Sequence, residues 1–255
     1  MTRNDAAAAR SMRVNDDELA RDSSNWGRSL LISKILDFAT LPLILAGLYL
    51  AFLYAPREST MGDVQRIFYF HVPFALNSFL AFGVVLLASI AFLLKGRRSW
   101  DQTALAAVEV GFLYCTLVLL TGPVWARSAW GVWWTWDARL TSTLILWLIF
   151  ASYLFLRTYM AEDPRMRRYA AVLGILGALE VPIVYFSVQW FSTQHPTTFI
   201  TERGKLDPQM AMVLRFTLVA VLILGIALFW KRRLVGGLEE ERDRLLADVE
   251  EREMR

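Results

Sequence analysis

The chain has 255 residues, carries a formal net charge of +3 and is 56% hydrophobic, with a mean hydropathy of +0.39. This composition is too apolar for an ordinary soluble domain of this length and indicates a polytopic membrane protein. The small positive charge does not indicate nucleic-acid binding, because the basic residues are distributed as a membrane-topology signal.

The sequence lacks the motifs that usually indicate several classes of enzyme activity. No GxxxxGK[ST], HExxH or CxxC motif occurs, which argues against ATP hydrolysis, zinc proteolysis and thiol exchange. Cys115 is the only cysteine and lies within an apolar run, where a thiol is typically a small hydrophobic side chain. Because no CxxCH motif is present, the chain does not itself carry covalently attached haem.

Six runs of about 20 mainly apolar residues are long enough to cross a bilayer. The predicted spans are Lys34–Tyr54, Phe74–Leu94, Ala104–Pro123, Leu140–Leu156, Tyr169–Val188 and Met210–Trp230. No signal-peptide pattern precedes the first run, so that span is expected to serve as its own targeting signal. We expect an all-α integral membrane protein with an N-terminal tail at 1–33, a membrane domain at 34–230 and a charged helical tail at 231–255.

The distribution of Lys and Arg predicts that both termini are cytoplasmic. Six basic residues lie in the first 34 positions, three in the second loop, four in the fourth loop and three at 231–233, against two in each remaining loop. Loops with an excess of basic residues stay in the cytoplasm. The first, third and fifth loops are therefore expected to be extracytoplasmic, and these loops carry the unusual residues.

The chain has two histidines, one in the first of these loops and one in the last. Val64, Ile67, Phe68 and His71 follow helical spacing, which predicts a short amphipathic interfacial helix that begins near Asp63 and ends at Pro73. His195 follows the fifth span. A histidine without a ligand is one interpretation of each position, but their placement on one side of the membrane favours a metal held between them.

The stretch WARSAWGVWWTWDARLTS, from Trp125 to Ser142, contains five of the ten tryptophans. If the stretch is helical, four residues share one face: Trp130, Trp133, Trp134 and Asp137. Trp136 would then point elsewhere. An interfacial aromatic belt is one interpretation, but the density of rings on a single loop favours a platform for a planar ligand.

Charged residues flank this platform. Asp137 is expected to be the N-cap of the fourth span and also a candidate for the site. Arg139 either extends toward the membrane surface or binds a ligand carboxylate through its planar guanidinium. Arg57, Arg66 and Arg127 are further candidates for anionic groups of a ligand.

Three sequence motifs point to a known family. WGVWWTWDARLT, from Trp130 to Thr141, matches the pattern WGxWWxWDxRLT, and YFHVPFA places His71 in an HVP motif. With VQWFSTQHP around His195, these residues resemble the tryptophan-rich (WWD) family of haem-handling proteins of cytochrome c maturation. Phe191 stands where a second tryptophan is common. The likeness covers about Ile35 to Trp230, and the six spans are similar to those of the smaller members, the haem exporter C proteins.

The resemblance implies non-covalent binding of haem b at the outer face, with His71 and His195 as axial iron ligands. The loop at 124–139 would be the WWD loop. The implied haem-contacting residues are Trp130, Trp133, Trp134, Trp136, Asp137, Arg139, Arg66 and Arg127. The protein would not be an enzyme but would present haem to a membrane-anchored periplasmic haem chaperone. Its other implied partners in the bacterial inner membrane are ABC transporter subunits and a small single-span accessory subunit.

Two other functions remain open from the sequence. A membrane b-type cytochrome would transfer electrons, although such proteins usually place their haem ligands within spans. A six-span small-molecule transporter with an aromatic outer vestibule would bind no haem. Glu109 and Glu180 lie within predicted spans, where an ionisable residue is costly, and they are candidates for a haem or proton path, a partner contact or a protonated contact between helices.

Overall fold

The computed structural model describes residues 3–191, 195 and 206–254, and for 3–25 and 244 it describes the backbone alone. The described residues form these long helices: α1 (Arg3–Tyr49), α2 (Phe68–Lys95), α3 (Arg98–Trp130), α4 (Ala138–Tyr159), α5 (Met166–Trp190) and α6 (Pro208–Glu253). A π-helical turn, Leu50–Tyr54, follows α1, and a 3₁₀ turn, Asp63–Ile67, leads into α2. Within the described part of the chain, six helices are long and apolar enough to cross a membrane. The six predicted spans are thereby confirmed.

The helices form a bundle in which α2 is central. It packs against α3, α5 and α6, while α4 pairs with α5 and α1 packs along α6. The outer surface of the bundle is apolar, as a lipid-facing surface must be: Phe38 of α1, for example, is 85% exposed.

A pair of stacked phenylalanines occupies the centre of the bundle. Phe82 of α2 and Phe150 of α4 have ring centroids 3.8 Å apart and an interplanar angle of 2°. Both rings are fully buried. Glycines on the neighbouring helices make room for them: a Cβ at Gly111 of α3 would lie 2.6 Å from Phe82, and one at Gly177 of α5 would lie 2.9 Å from Phe150. Small residues of this kind allow close approach between membrane helices.

The end of the bundle that carries the chain termini is held by charged contacts. Arg157 of α4 donates two hydrogen bonds, of 2.6 and 2.9 Å, to the buried carboxylate of Asp101 in α3. Glu109 of α3 pairs with Arg232 of α6 at 2.8 Å. Glu109 therefore joins α3 to α6 through its contact with Arg232. Glu180 is half-buried on α5.

One local prediction is wrong, and a condition placed on the tryptophan stretch is not met. Helix α2 does not end at Pro73 but continues to Lys95, because a proline is tolerated in a packed membrane helix. His71 consequently lies in the first turns of the second span and not in a separate interfacial helix. The tryptophan stretch is also not one helix: α3 ends at Trp130, where Gly131 adopts a φ of 79°, and α4 begins at Ala138. The shared helical face of Trp130, Trp133, Trp134 and Asp137 therefore does not form.

Replacing Gly111 by Ala should destabilise the bundle, because the added methyl group would collide with the Phe82 ring. Overpacking of this kind typically costs about 1–3 kcal/mol, which should appear as a lower thermal unfolding temperature of the detergent-solubilised protein. Gly83→Ala is the matched control, since nothing lies within 4 Å of a Cβ at Gly83. Equal unfolding temperatures for the two variants would contradict this account of the core.

Candidate functional site

A cavity of about 550 Å³ opens at the end of the bundle opposite the chain termini. This volume lies within the range of roughly 300–1,000 Å³ that small-molecule and cofactor sites occupy. Its walls come from the segment between α1 and α2, the adjoining ends of α2 to α6, and the segments between α3 and α4 and between α5 and α6. Helix ends therefore form the site together with the loops. Both histidines of the chain line this cavity.

His71 reaches the cavity from α2. Its Nδ1 lies 2.8 Å from the hydroxyl oxygen of Thr121 on α3. The ring also lies close to the backbone of α3, because a Cβ at Gly122 would be 3.4 Å from His71 Cε1. The packing of α2 against α3 thus fixes the position of this imidazole.

His195 reaches the same cavity from the segment beyond α5. Its side chain is 17% exposed, and its Nδ1 lies 3.6 Å from Oδ2 of Asp137. The Trp130 ring meets the imidazole edge to face at 5.1 Å and meets Trp125 in the same way at 4.9 Å. Trp130 therefore packs behind His195 and does not itself line the cavity.

Burial lowers the pKa of His195 below its ordinary value of 6.5. The carboxylate of Asp137 raises this pKa and the guanidinium of Arg139 lowers it, and burial has the largest effect. At any given pH near neutrality, a smaller fraction of this imidazole is therefore protonated than of an ordinary histidine. A neutral imidazole is the form that binds metal ions.

Asp137 has two roles in the geometry. Its Oδ1 accepts a hydrogen bond of 2.9 Å from the backbone N–H of Leu140, which makes Asp137 the N-cap of α4. Its Oδ2 accepts a hydrogen bond of 3.3 Å from Thr135 and faces His195. The carboxylate that caps α4 thus also lies beside the His195 imidazole, whose Nδ1 has no hydrogen-bond partner among the described residues.

The tryptophans divide into two groups. Trp125 and Trp134 line the cavity, and the indole N–H of each is buried with no hydrogen-bond acceptor among the described residues. Trp133 and Trp136 are 58% and 74% exposed and lie outside the cavity wall. The structure therefore brings one of the predicted platform rings, Trp134, into the cavity.

The arginines are also divided. Arg57 and Arg139 line the cavity. Arg66 donates to the backbone carbonyls of Ala51 and Phe52 and pairs with Asp63, so it satisfies the free carbonyls at the end of the first span. Arg127 donates to the carbonyl of Gly131 at the end of α3. Arg66 and Arg127 thus hold helix ends, and neither lines the cavity.

Sequence reasoning did not single out Thr121 and Tyr185, and it did not assign Trp125 to the site. Tyr185 and Trp125 line the cavity, and Thr121 contacts His71. Thr121 and Trp125 are four residues apart, so they share a face at the outer end of the third span. That spacing was the one sequence signal that could have assigned Thr121 to the site. Its partner, His71, lies 50 residues away in the sequence.

Two histidines alone do not make an ordinary protein site for a bare metal ion. Among the described residues, no group of three or more His, Cys, Asp or Glu side chains is placed to hold such an ion. Haem iron is different, because the porphyrin supplies four ligands and the protein supplies the axial ones. The cavity therefore fits an iron porphyrin better than a bare ion.

Fold and site define a six-span membrane protein with a histidine-lined and tryptophan-lined cavity at one end of its helix bundle. The sequence model described as "Heme exporter protein C" matches residues 18–247. The chain belongs to the heme exporter protein C family, which confirms the resemblance seen in its motifs.

Individual relatives agree with this membership. "Heme exporter protein C" of Bradyrhizobium diazoefficiens is 38% identical over 211 residues, which cover 78% of this chain and 80% of that protein. "Heme exporter protein C" of Escherichia coli K12 is 30% identical over 210 residues, which cover 81% and 85%. The "Putative cytochrome c biosynthesis ccmC-like mitochondrial protein" of Marchantia polymorpha is 34% identical over 157 residues, which cover 62% and 66%.

Replacing the two charged neighbours of His195 should move its pKa in opposite directions. Asp137→Asn removes the carboxylate that raises the pKa and should lower it further, whereas Arg139→Gln removes a cation and should raise it. Asn caps helices about as well as Asp, so α4 retains its N-cap. An NMR titration of the ¹⁵N-labelled imidazole in the His71→Ala background, which leaves one histidine, measures both shifts. Shifts of the same sign would contradict the electrostatic account.

Proposed function

We propose that this protein binds haem b non-covalently in the cavity, with His71 and His195 as axial iron ligands, and presents it for cytochrome c maturation. The observation that carries the proposal is the position of the histidines: the chain has two, and both line one cavity of cofactor size. Membership in the heme exporter protein C family supports a role in haem handling. The name of the Marchantia relative refers to cytochrome c biosynthesis.

The residues of the cavity fit the chemistry of haem. Bound haem supplies an iron whose two axial positions accept imidazole nitrogens. His195 is suited to this role because burial lowers its pKa and so favours the neutral ring that binds a metal. The Trp125 and Trp134 rings provide apolar area, and their buried N–H groups match the carboxylate oxygens of the haem propionates.

Arg139 is the guanidinium best placed for a propionate, because Arg57, the other arginine in the cavity wall, is exposed and Arg139 is half-buried. An Arg–carboxylate pair in a poorly solvated site gains strength from two parallel hydrogen bonds. The exposed rings of Trp133 and Trp136 remain predicted haem contacts that the described geometry does not place in the cavity wall. Their exposure suits contact with the haem edge or with a partner that approaches the opening.

The proposed location is the bacterial inner membrane, with the cavity facing the periplasm. Basic residues concentrate on the side of the bundle opposite the cavity, which is the cytoplasmic side under the positive-inside rule. In this orientation the cavity opens where cytochromes c receive haem. The proposed acceptor is a membrane-anchored periplasmic haem chaperone, and the proposed neighbours are ABC transporter subunits and a small single-span subunit.

The protein's part in this reaction is to hold and orient haem. The chain lacks CxxCH, so it does not attach haem to itself. Covalent attachment would take place on the acceptor, and the cavity residues would orient the reacting haem edge toward it. We therefore propose a delivery component and not an enzyme.

An electron-transfer b-type cytochrome is the main competing function. The position of His71 within α2 removes one argument against it, since membrane cytochromes usually place ligands in their spans. Haem transfer separates the two functions: haem should move from this protein to the purified chaperone, whereas a cytochrome would retain its haem and cycle with quinone. Retention of haem in the presence of a competent chaperone would favour the cytochrome.

Removing either histidine should change iron coordination. The haem-loaded protein should have the visible spectrum of low-spin six-coordinate iron. His71→Ala and His195→Ala should each convert it to a five-coordinate spectrum or abolish haem retention. The smaller variant His71→Gly should regain the six-coordinate spectrum when free imidazole is added.

Phe38→Ala, on the exposed surface of α1, is the control for general damage to the bundle. Unchanged spectra in both histidine variants would remove the axial-ligand assignment. Absence of any Soret band in the purified wild-type protein, after haem is supplied, would instead favour a small-molecule transporter.

A further inference from the structure

The hydrogen bond between His71 and Thr121 determines which nitrogen of His71 can bind a ligand. Thr121 lies on α3, and its hydroxyl oxygen is 2.8 Å from His71 Nδ1 and 2.7 Å from the backbone carbonyl of Leu117. A carbonyl oxygen accepts hydrogen bonds and cannot donate them, so the hydroxyl hydrogen of Thr121 points to Leu117. The remaining lone pairs of the hydroxyl oxygen face the imidazole.

Thr116, on the same helix, has the same arrangement, and the direction of its hydrogen bond to a ring N–H is unambiguous. The Thr116 hydroxyl donates to the Phe112 carbonyl at 2.8 Å, and it accepts a 2.8 Å hydrogen bond from Nε1 of Trp147. An indole nitrogen is only a donor. Thr116 therefore demonstrates that a threonine bonded back to its own helix acts as an acceptor toward a ring N–H in this bundle.

We infer that Thr121 is a positioning residue that holds His71 in the Nδ1–H tautomer and so leaves the Nε2 lone pair free for the haem iron. Thr121 itself is not among the residues that line the cavity, whereas His71 is. A neutral imidazole has one donor and one acceptor nitrogen. Once Nδ1–H donates to Thr121, Nε2 is the nitrogen that remains for a ligand in the cavity.

The Thr121 contact also fixes the orientation of the ring. The hydrogen bond holds the imidazole beside the α3 backbone at Gly122, where an added Cβ would lie 3.4 Å from Cε1. Partners of this kind orient a metal-binding histidine and raise its basicity. The identity of the metal rests on the proposed function. The tautomer of His71 in the haem-free protein does not.

The tautomer can be measured directly in the haem-free protein. In the His195→Ala background His71 is the only histidine, so ¹⁵N-histidine labelling reports on one ring. NMR in lipid nanodiscs at neutral pH should show a protonated Nδ1 and an unprotonated Nε2. Thr121→Val removes the acceptor with almost no change in shape, and the ring should return to the Nε2–H form that neutral histidine favours in water.

Two further variants make this test specific. Thr121→Ser keeps the hydroxyl and should retain the Nδ1–H form. Thr116→Val removes the equivalent hydroxyl five residues away and should leave the His71 tautomer unchanged. The inference is overturned if wild-type His71 is protonated on Nε2, or if Thr121→Val retains the Nδ1–H form.

Haem binding provides a second measurement. Loss of such a partner typically weakens metal binding by about 10- to 100-fold, so Thr121→Val should raise the haem Kd by about that factor and shift the reduction potential upward. Thr121→Ser and Thr116→Val should bind as the wild type does. An unchanged Kd and potential in Thr121→Val would overturn the positioning role.

The two failures are distinguishable. If the expected tautomer is found but no haem binds, the inference about the ring holds and the proposed function fails. If haem binds through both histidines but the tautomer is the other one, the proposed function holds and the role of Thr121 fails.

Discussion

The close packing of α2 against α3 is the contact on which the site depends. It brings the His71 imidazole against the α3 backbone at Gly122 and within 2.8 Å of Thr121. The same two helices meet again deeper in the bundle, where Gly111 of α3 leaves space for Phe82 of α2. Small residues on α3 therefore set the distance between these helices at both levels. A larger residue at position 111 would disturb the core. Because α2 and α3 are rigid, it would also displace His71 relative to α3.

The other side of the site is held by a different kind of contact. His195 follows α5, and its surroundings come from the end of α3 and the start of α4: Trp130 packs against its ring and Asp137 faces its Nδ1. Asp137 is also the N-cap of α4, so the helix start and the imidazole position are coupled. One histidine is thus fixed by helix packing and a neutral hydroxyl, and the other by an aromatic ring and a carboxylate. The acceptor group behind the His71 imidazole is therefore a hydroxyl oxygen, whereas the acceptor group nearest His195 Nδ1 is a carboxylate.

The sequence was sufficient to predict the fold class and the family. Six apolar runs predicted six spans, and the motif from Trp130 to Thr141 identified the relatives, because both signals lie in contiguous residues. Local geometry was harder to predict. Pro73 indicated a helix end, but a packed membrane helix tolerates proline. Trp130, Trp133 and Trp134 would share a face in a helix, but Gly131 ends α3 within the stretch.

The assignment of side chains to the cavity depended on contacts distant in sequence. Arg66 and Arg139 are equally plausible anion ligands by type, yet Arg66 binds backbone carbonyls 14 and 15 residues away and Arg139 lines the cavity. Thr121 carries no motif of its own, and its role follows only from its contact with His71. Such pairings are fixed by tertiary packing, which a single sequence does not display.

The position of the iron tests the central claim most directly. A cryo-electron microscopy map of the haem-loaded protein in nanodiscs should place the porphyrin in the cavity between α2 and the segment beyond α5. One imidazole nitrogen of His71 and one of His195 should lie at coordination distance on opposite faces of the iron. Haem bound outside this cavity, or an iron ligated by any other side chain of this protein, would contradict the account.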